Sequence, residues 1–507
     1  MPRRRGKPPH VDGRGAPSTR PKLTRSRTHP PTWQPSEAIE SAIEEFKSQG
    51  VDLTGIYTGT GLQSHAVFTL SSQLLAHIDK KDVVSVGLSL ESLLDEVEKE
   101  DEEVATAVLL AAETMHAFAP GVVALQGPSA TTTCAAFLAV YAKLLRLSNT
   151  LREAFRGSPE ADNVRAVRSL LAHEDTLVRC GALAVAGSLA VQDEAGKTIV
   201  MSMDPHEHIV GVLEATRGSD GDTFGRGVEA ATALIVPLAS ADDTTQPSSS
   251  AFANARKLAQ SGVSAALVES LRVLWNEAEE DNENANEIGN KRVATVTCQL
   301  CTGIKLLAAN DEICKELVQE LTLLDLLFVV LKSSLADDVS TGVMASAMAL
   351  LRQMMASDHV KHALHTAAFI SIASNNLQMY IDEAYAPAAD PGNKVLEHTL
   401  GAVSALCLRN PEAAESVVDS GCAQLTISAM QVAIDRKDAE TTGAPAPPVG
   451  KPLRQGCMAV RNIASRSPHV REVLRSYEAV RVIENCKVAA KSACTDVGDA
   501  AIRDVTN

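Results

Sequence analysis

The chain has 507 residues, of which 45% are apolar and only 3% aromatic, with a formal net charge of −16. No apolar run approaches the ~20 residues that span a bilayer, and the charged, Pro-rich N-terminus lacks the apolar stretch of a secretory signal. Residues 1–35 carry nine Arg or Lys against one acid, Asp12, a net of +8; taking that from the total leaves −24 on the remainder, which disfavours generic nucleic-acid binding.

In chain order, residues 1–35 read as a disordered basic arm, with eight prolines and almost nothing to bury. Its RRRGK and RPKLTRSR runs fit either a nuclear-import or anionic-surface signal or a solvated tail. Ser36 to Phe46 is the first expected helix, N-capped by Ser36 and stopped near Gly50. Leu62 to Ile78 and Leu88 to Phe118 continue the helical pattern, with a break expected near Glu100-Asp101. Residues 36–119 therefore form an N-terminal helical region. Residues 120–507 form a repeat array with insertions at 241–251, 277–290 and 437–452. The acidic stretch EAEEDNENANE in the second insertion fits a basic partner or a solvated loop.

The array declares itself near the C-terminus. TLGAVSALCLRNPEAAESVVDSGCAQLTISAM (Thr399 to Met430) and GCMAVRNIASRSPHVREVLRSYEAVRVIENC (Gly456 to Cys486) follow one pattern: apolar helix, Pro, short helix, turn, apolar helix. Earlier triplets fall at Val293 to Leu331 and Val343 to Tyr385. The order of long, short and middling helix, at roughly 40–50 residues per unit, is that of armadillo or HEAT solenoids. Ser261-Gly262 and Ser420-Gly421 sit between the short helix and the next, where glycine permits an abrupt turn. The third helix favours the armadillo form: an all-α, right-handed superhelical solenoid of three-helix repeats.

AIEEFKSQGVDLTGI (Ala42 to Ile56), LCLRNPEAAESVVDSG and LRQGCMAVRNIASR resemble the armadillo repeat-containing protein 6 family. The first of these lies outside any repeat and marks that subfamily. The resemblance extends over about residues 37–507, is weak from Leu62 to Thr176, and omits the arm and the insertions. It implies a non-enzymatic binding scaffold.

Motifs for chemistry are missing. There is no phosphate-binding GxxxxGK[ST], since Gly59 to Gly61 is too short, and no HExxH. Cys298-x-x-Cys301 lacks a second pair at zinc spacing and reads as core. His359, His362 and His365 share helical spacing, which fits either a solvated face or a metal site. The ten scattered cysteines read as reduced core thiols, fitting a protein of the cytoplasm or the nucleus. No cofactor is expected, and no enzyme.

In armadillo stacks the third helix lines the groove. Leu453, Cys457, Val460 and Ala464 form an apolar stripe, leaving Gln455, Asn462 and Arg466 on another face. Asn462 matches the family's groove asparagine, which clamps an extended peptide through its amide; a plain surface asparagine is the alternative. Aligning earlier copies by their stripes gives Ser188, Lys305, Gln353 and Ala405 as its counterparts, so no asparagine ladder exists. Four residues earlier stand Ala184, Cys301, Ala349, Gly401 and Met458 where tryptophans would hold lysine side chains. The expected function is a monomeric scaffold or adaptor binding a protein or peptide through Asn462, Gln455, Arg466, Gln353 and Lys305, with no specific nucleic acid and no membrane. The alternatives are a nuclear-transport adaptor for basic peptides and a metal-binding protein using the His359 cluster.

Overall fold

The computed structural model describes residues 62–157, 162–241, 249–280, 287–333, 338–364, 367–382, 390–439, 449–465 and 467–507. The expectations for the basic arm and for the helix from Ser36 to Phe46 lie outside them. Contacts divide the chain into Met1–His65 and Ala66–Asn507, and the helical stack belongs to the second unit. Among the described residues all regular structure is helical.

Four helices lead in: α1 (Ala66–Asp79), α2 (Val83–Val97), α3 (Glu102–Ala111) and α4 (Phe118–Ala124). Asp101 caps α3 by accepting from the Glu103 N–H, at the expected break. Then α5 (Thr131–Leu147) opens the stack. Three-helix units come after it: α6 (Asn149–Arg156), α7 (Asp162–Leu171) and α8 (Thr176–Leu189); α9 (Glu194–Met201), α10 (Pro205–Thr216) and α11 (Gly221–Ala239); α12 (Ser249–Gln260), α13 (Val263–Glu280) and α14 (Glu287–Leu307). Next come α15 (Asp311–Gln319), α16 (Leu323–Ser333) and α17 (Asp338–Met354); α18 (Asp358–Leu364), α19 (Ala367–Ile381) and α20 (Asp390–Cys407). The last two units are α21 (Pro411–Asp419), α22 (Cys422–Ala439) and α23 (Gly450–Ala464); α24 (Pro468–Ser476), α25 (Ala479–Ala490) and α26 (Thr495–Thr506). The helices run into the edges of all three expected insertions: α12 begins at Ser249, α13 reaches Glu280 and α22 reaches Ala439.

Packing follows the period of three. Each third helix lies on the next: α5 on α8, α8 on α11, and so on through α14, α17, α20 and α23 to α26. The second helices form a parallel ladder from α10 through α13, α16, α19 and α22 to α25. Each unit therefore buries its apolar faces against its neighbours, as a solenoid requires.

Local chemistry sets the unit boundaries. Ser148, Asp193, Asn310 and Asn410 each accept a backbone N–H of the first helix they precede, and Asp175 and Asp220 do the same for α8 and α11. The turn into the second helix uses a left-handed residue. Gly262 and Gly421 take φ of 88° and 79°, as their sequence position implies, while Asp204, Thr322 and Glu478 hold the same corner at 52°, 52° and 58°.

Buried cations link helix ends. Arg152 donates to the Leu145 carbonyl at 2.8 Å, at the end of α5. Lys197, fully buried, donates to the Ser240 carbonyl at 2.9 Å beyond α11, and Lys361 reaches the Leu408 carbonyl at 3.4 Å beyond α20. Each cation meets the partial negative charge of a helix C-terminus. Four aromatics cluster at the start of the stack. Phe118 packs on Phe155 at 4.8 Å and Tyr141 at 5.1 Å, and the Tyr141 hydroxyl donates to the Thr114 carbonyl at 2.7 Å.

Candidate binding groove

The register of the third helices follows from what each buries. Val395, Leu396, Leu400, Ala402, Val403, Leu406 and Cys407 of α20 have their counterparts in Val343, Met344, Met348, Leu350, Leu351, Met354 and Met355 of α17. In α14 the same pattern is Val296, Thr297, Cys301, Gly303, Ile304, Leu307 and Ala308. In α23 the matching positions include Leu453, Cys457, Val460 and Ile463.

This register keeps Ser188, Gln353, Ala405 and Asn462 in one column but corrects α14. Leu306 is the counterpart of Asn462 there, and Thr302 rather than Cys301 occupies the expected tryptophan position. Lys305 belongs one residue earlier, in a column with Arg352, Ser404 and Arg461. Gln455 falls in a third column with Gln299, Ser346 and His398. The physical reason for the one-residue difference is Thr297, a polar residue at a buried position, which interrupts the apolar stripe of α14.

The five expected site residues differ in what occupies them. Asn462 donates its Nδ2 to both the carbonyl and the Oγ of Ser404, each at 2.9 Å, so its amide nitrogen ties α23 to α20. Gln353, on the exposed side of α17, donates to the Ala308 carbonyl at 3.2 Å, tying α17 to α14. Gln455 and Lys305 are half-buried. Arg466 lies outside the described residues.

A group of residues of which only Lys305 was singled out from sequence gathers between α14 and α23. Arg352, Lys305, Lys394 and Lys451 all bear on His398 of α20. Burial first, and then these four positive neighbours, push the His398 imidazole down to about 4, so it is neutral at pH 7. Its Nδ1 is buried with no hydrogen-bond partner. The Arg352 side chain lies across Gly401, where a Cβ would stand 2.7 Å from its Nε. Its nearest carboxylate, Glu397, is 4.0 Å away. Among the described residues, Lys305 and Lys451 have no ion-pair partner, whereas on α23 Arg454 is held bidentately by Asp496 at 2.8 and 3.1 Å and Arg461 by Asp504 at 3.2 Å. The signal that finds this cluster in sequence is the buried stripe, once its register is right.

The other candidates resolve differently. His359 sits 3.0 Å from Gln319 Nε2, His362 is exposed, and His365 is outside the described residues. Among the described residues, no group of three or more His, Cys, Asp or Glu is arranged to hold a metal. Cys301 is fully buried and burial raises its thiol pKa strongly. No single described helix is long and apolar enough to cross a membrane.

Two features decide the fold: third helices stacked on one another at every third element, and a left-handed corner before the second helix. The fold is an armadillo-type solenoid of three-helix repeats. The sequence profile of the family described as armadillo repeat-containing protein 6 N-terminal domain matches residues 32–67, which include the non-repeat motif at Ala42 to Ile56. No curated protein matches the chain. An engineered protein solved by a structural genomics consortium is similar over 90% of this chain and 97% of its own, at 14% identity and a TM-score of 0.50. A designed armadillo repeat protein covers 59% of this chain and 99% of its own, at 15% identity and a TM-score of 0.39. A second, solved in complex with a (KR)4 peptide, covers the same shares at 15% identity and a TM-score of 0.38.

Proposed function

We propose that the protein is a non-enzymatic scaffold that binds a protein or peptide along the face of its third helices. The armadillo fold fits a protein-binding scaffold. The observation that carries the finer reading is the alignment of side chains from α14 to α23. Gln299, Ser346, His398 and Gln455 form one column of polar positions on successive helices, next to the cations Lys305 and Arg352. An extended ligand crossing these helices would meet an equivalent position at each step. No motif for nucleotide or metal chemistry competes with this reading.

A nuclear-transport adaptor for basic peptides is less well supported, because Ala184, Thr302, Ala349, Gly401 and Met458 stand where indole rings would hold lysines. Burial of nine of the ten cysteines as core side chains supports a reducing compartment, cytoplasm or nucleus.

The test is peptide selection against the full chain carrying a photo-crosslinking residue at Gln299 or Gln455. Selected peptides should cross-link from these positions and not from a matching residue placed on the first helices. Binders that cross-link only from the first or second helices would remove the groove from the account.

A further inference from the structure

The body outside the arm is acidic, at −24, yet one stretch of its third-helix face is basic. Lys305 on α14, Arg352 on α17, Lys394 on α20 and Lys451 on α23 converge on His398. Arg352 and its nearest carboxylate, Glu397 beside His398, stand at the outer limit of an ion pair, 4.0 Å. Lys305 and Lys451 have no ion-pair partner among the described residues. On α23 itself, by contrast, Arg454 and Arg461 are each matched to an aspartate of α26. Lys305 and Lys451 thus stand beside His398 without an ion pair among the described residues, with Arg352 between them at the limit of its own.

We infer that this patch binds an acidic peptide segment, its carboxylates seated on Lys305, Arg352 and Lys451 beside His398. The inference rests on the groove-binding reading above and adds the chemistry of the partner. Packed helices lie about 8–10 Å apart, so the axes of α14 to α23 span about 24–30 Å. An extended strand rises about 3.3 Å per residue, so seven to nine residues cover that length, with an acid at about every third position. A carboxylate placed on the patch also offsets the positive field of these cations at His398. Nucleic acid fits less well. A long polyanion would run onto the acidic remainder of the body, and the tryptophan column offers Ala, Thr, Gly and Met rather than rings for bases to stack on.

The experiment is fluorescence anisotropy on the full chain with labelled nine-residue peptides of Glu, Gln and Lys, and a nine-nucleotide single strand. The Glu peptide should bind at least tenfold more tightly than each of the others and weaken steeply with salt. The double variant Lys305→Gln/Lys451→Gln should lose about tenfold or more in affinity for it. Lys332→Gln, which removes an exposed cation at the end of α16, should leave affinity within twofold and so exclude a general charge effect. The His398 imidazole, followed by NMR, should titrate at higher pH when the Glu peptide is bound. No preference for Glu over Gln, tighter binding of the oligonucleotide, or indifference to the double variant would each overturn the inference. A Lys peptide that binds better and cross-links from Gln299 or Gln455 would overturn the acidic chemistry while leaving the groove in place. Selected peptides that never cross-link from those positions would instead remove the groove itself.

Discussion

Gly187 tests the stacking of third helices most sharply. It lies in α8, pressed against α11: a Cβ at this position would sit 2.3 Å from the Ala233 carbonyl oxygen, 2.8 Å from its carbon and 3.0 Å from the Leu234 Cα. All three are backbone atoms, so no side chain can swing aside. Gly187→Ala must push α8 and α11 apart and forfeit part of their packing. Overpacking of this kind costs about 1–3 kcal/mol, while replacing a helical glycine by alanine returns ~1 kcal/mol of propensity. Gly211→Ala in α10 is the control, because its nearest neighbour is the flexible Arg179 Nη1 at 3.6 Å, an ordinary contact. It keeps the propensity gain without the clash. We expect Gly187→Ala to lower stability and Gly211→Ala to leave it unchanged or raise it, with the two separated by roughly 1–3 kcal/mol, the overpacking cost alone, since the propensity gain is common to both. Urea denaturation gives the sign. Hydrogen exchange should localise the loss to peptides from α8 to α11. A Gly187→Ala protein as stable as Gly211→Ala would refute the close approach of these helices.

Three further outcomes are expected from the same structure. Asn462→Ala should destabilise α20 to α23 by about 1–3 kcal/mol, since it removes two hydrogen bonds to Ser404 in a partly buried site; exchange in peptides 390–464 would report it, and an unchanged profile would leave Asn462 available to a ligand. Glu478→Gly should stabilise the last unit by about 0.5–1 kcal/mol, because glycine takes a φ of 58° without the steric cost of a Cβ and Glu478 is exposed; a drop in thermal midpoint would contradict it. Burial pushes the Cys134, Cys180, Cys314 and Cys422 thiols up from 9.0 to about 11. Their folded pKa values are raised, so their contribution is intact below pH 9 and declines between pH 9 and about 11, as only the unfolded chain ionises readily. Stability should therefore fall on the alkaline side, and iodoacetamide at pH 8 should label these thiols only after denaturation; rapid labelling of the native chain would show them exposed.

The fold was legible because its strongest signals are local. Apolar stripes, Pro-started helices and the Gly262 and Gly421 corners can be read one unit at a time. The corners at Thr322 and Glu478 could not be read, because nothing in those residue types announces a left-handed turn, and aspartate at 204 tolerates one without requiring it. The binding face was only partly legible. Gln455 and Lys305 are polar residues of third helices, as their sequence positions imply, but a one-residue slip in α14 separated Lys305 from Arg352. The amides of Asn462 and Gln353 looked available in sequence, yet each reaches the preceding third helix, a contact that depends on how closely the units stack. His398 gave no signal of its own. Its environment comes from cations on three other helices, brought together only by the register of the repeats.

The binding reading depends on a linear stack in which each unit contacts only its neighbours. Hydrogen exchange on a chain lacking residues 467–507, compared with the full chain, tests this most directly. Removing α24 to α26 exposes the faces of α22 and α23 that they cover. The account predicts loss of protection confined to α21 to α23, with peptides before Leu331 exchanging as in the full chain. Loss of protection throughout, or no loss at all, would contradict a solenoid and make the chain one cooperative globule.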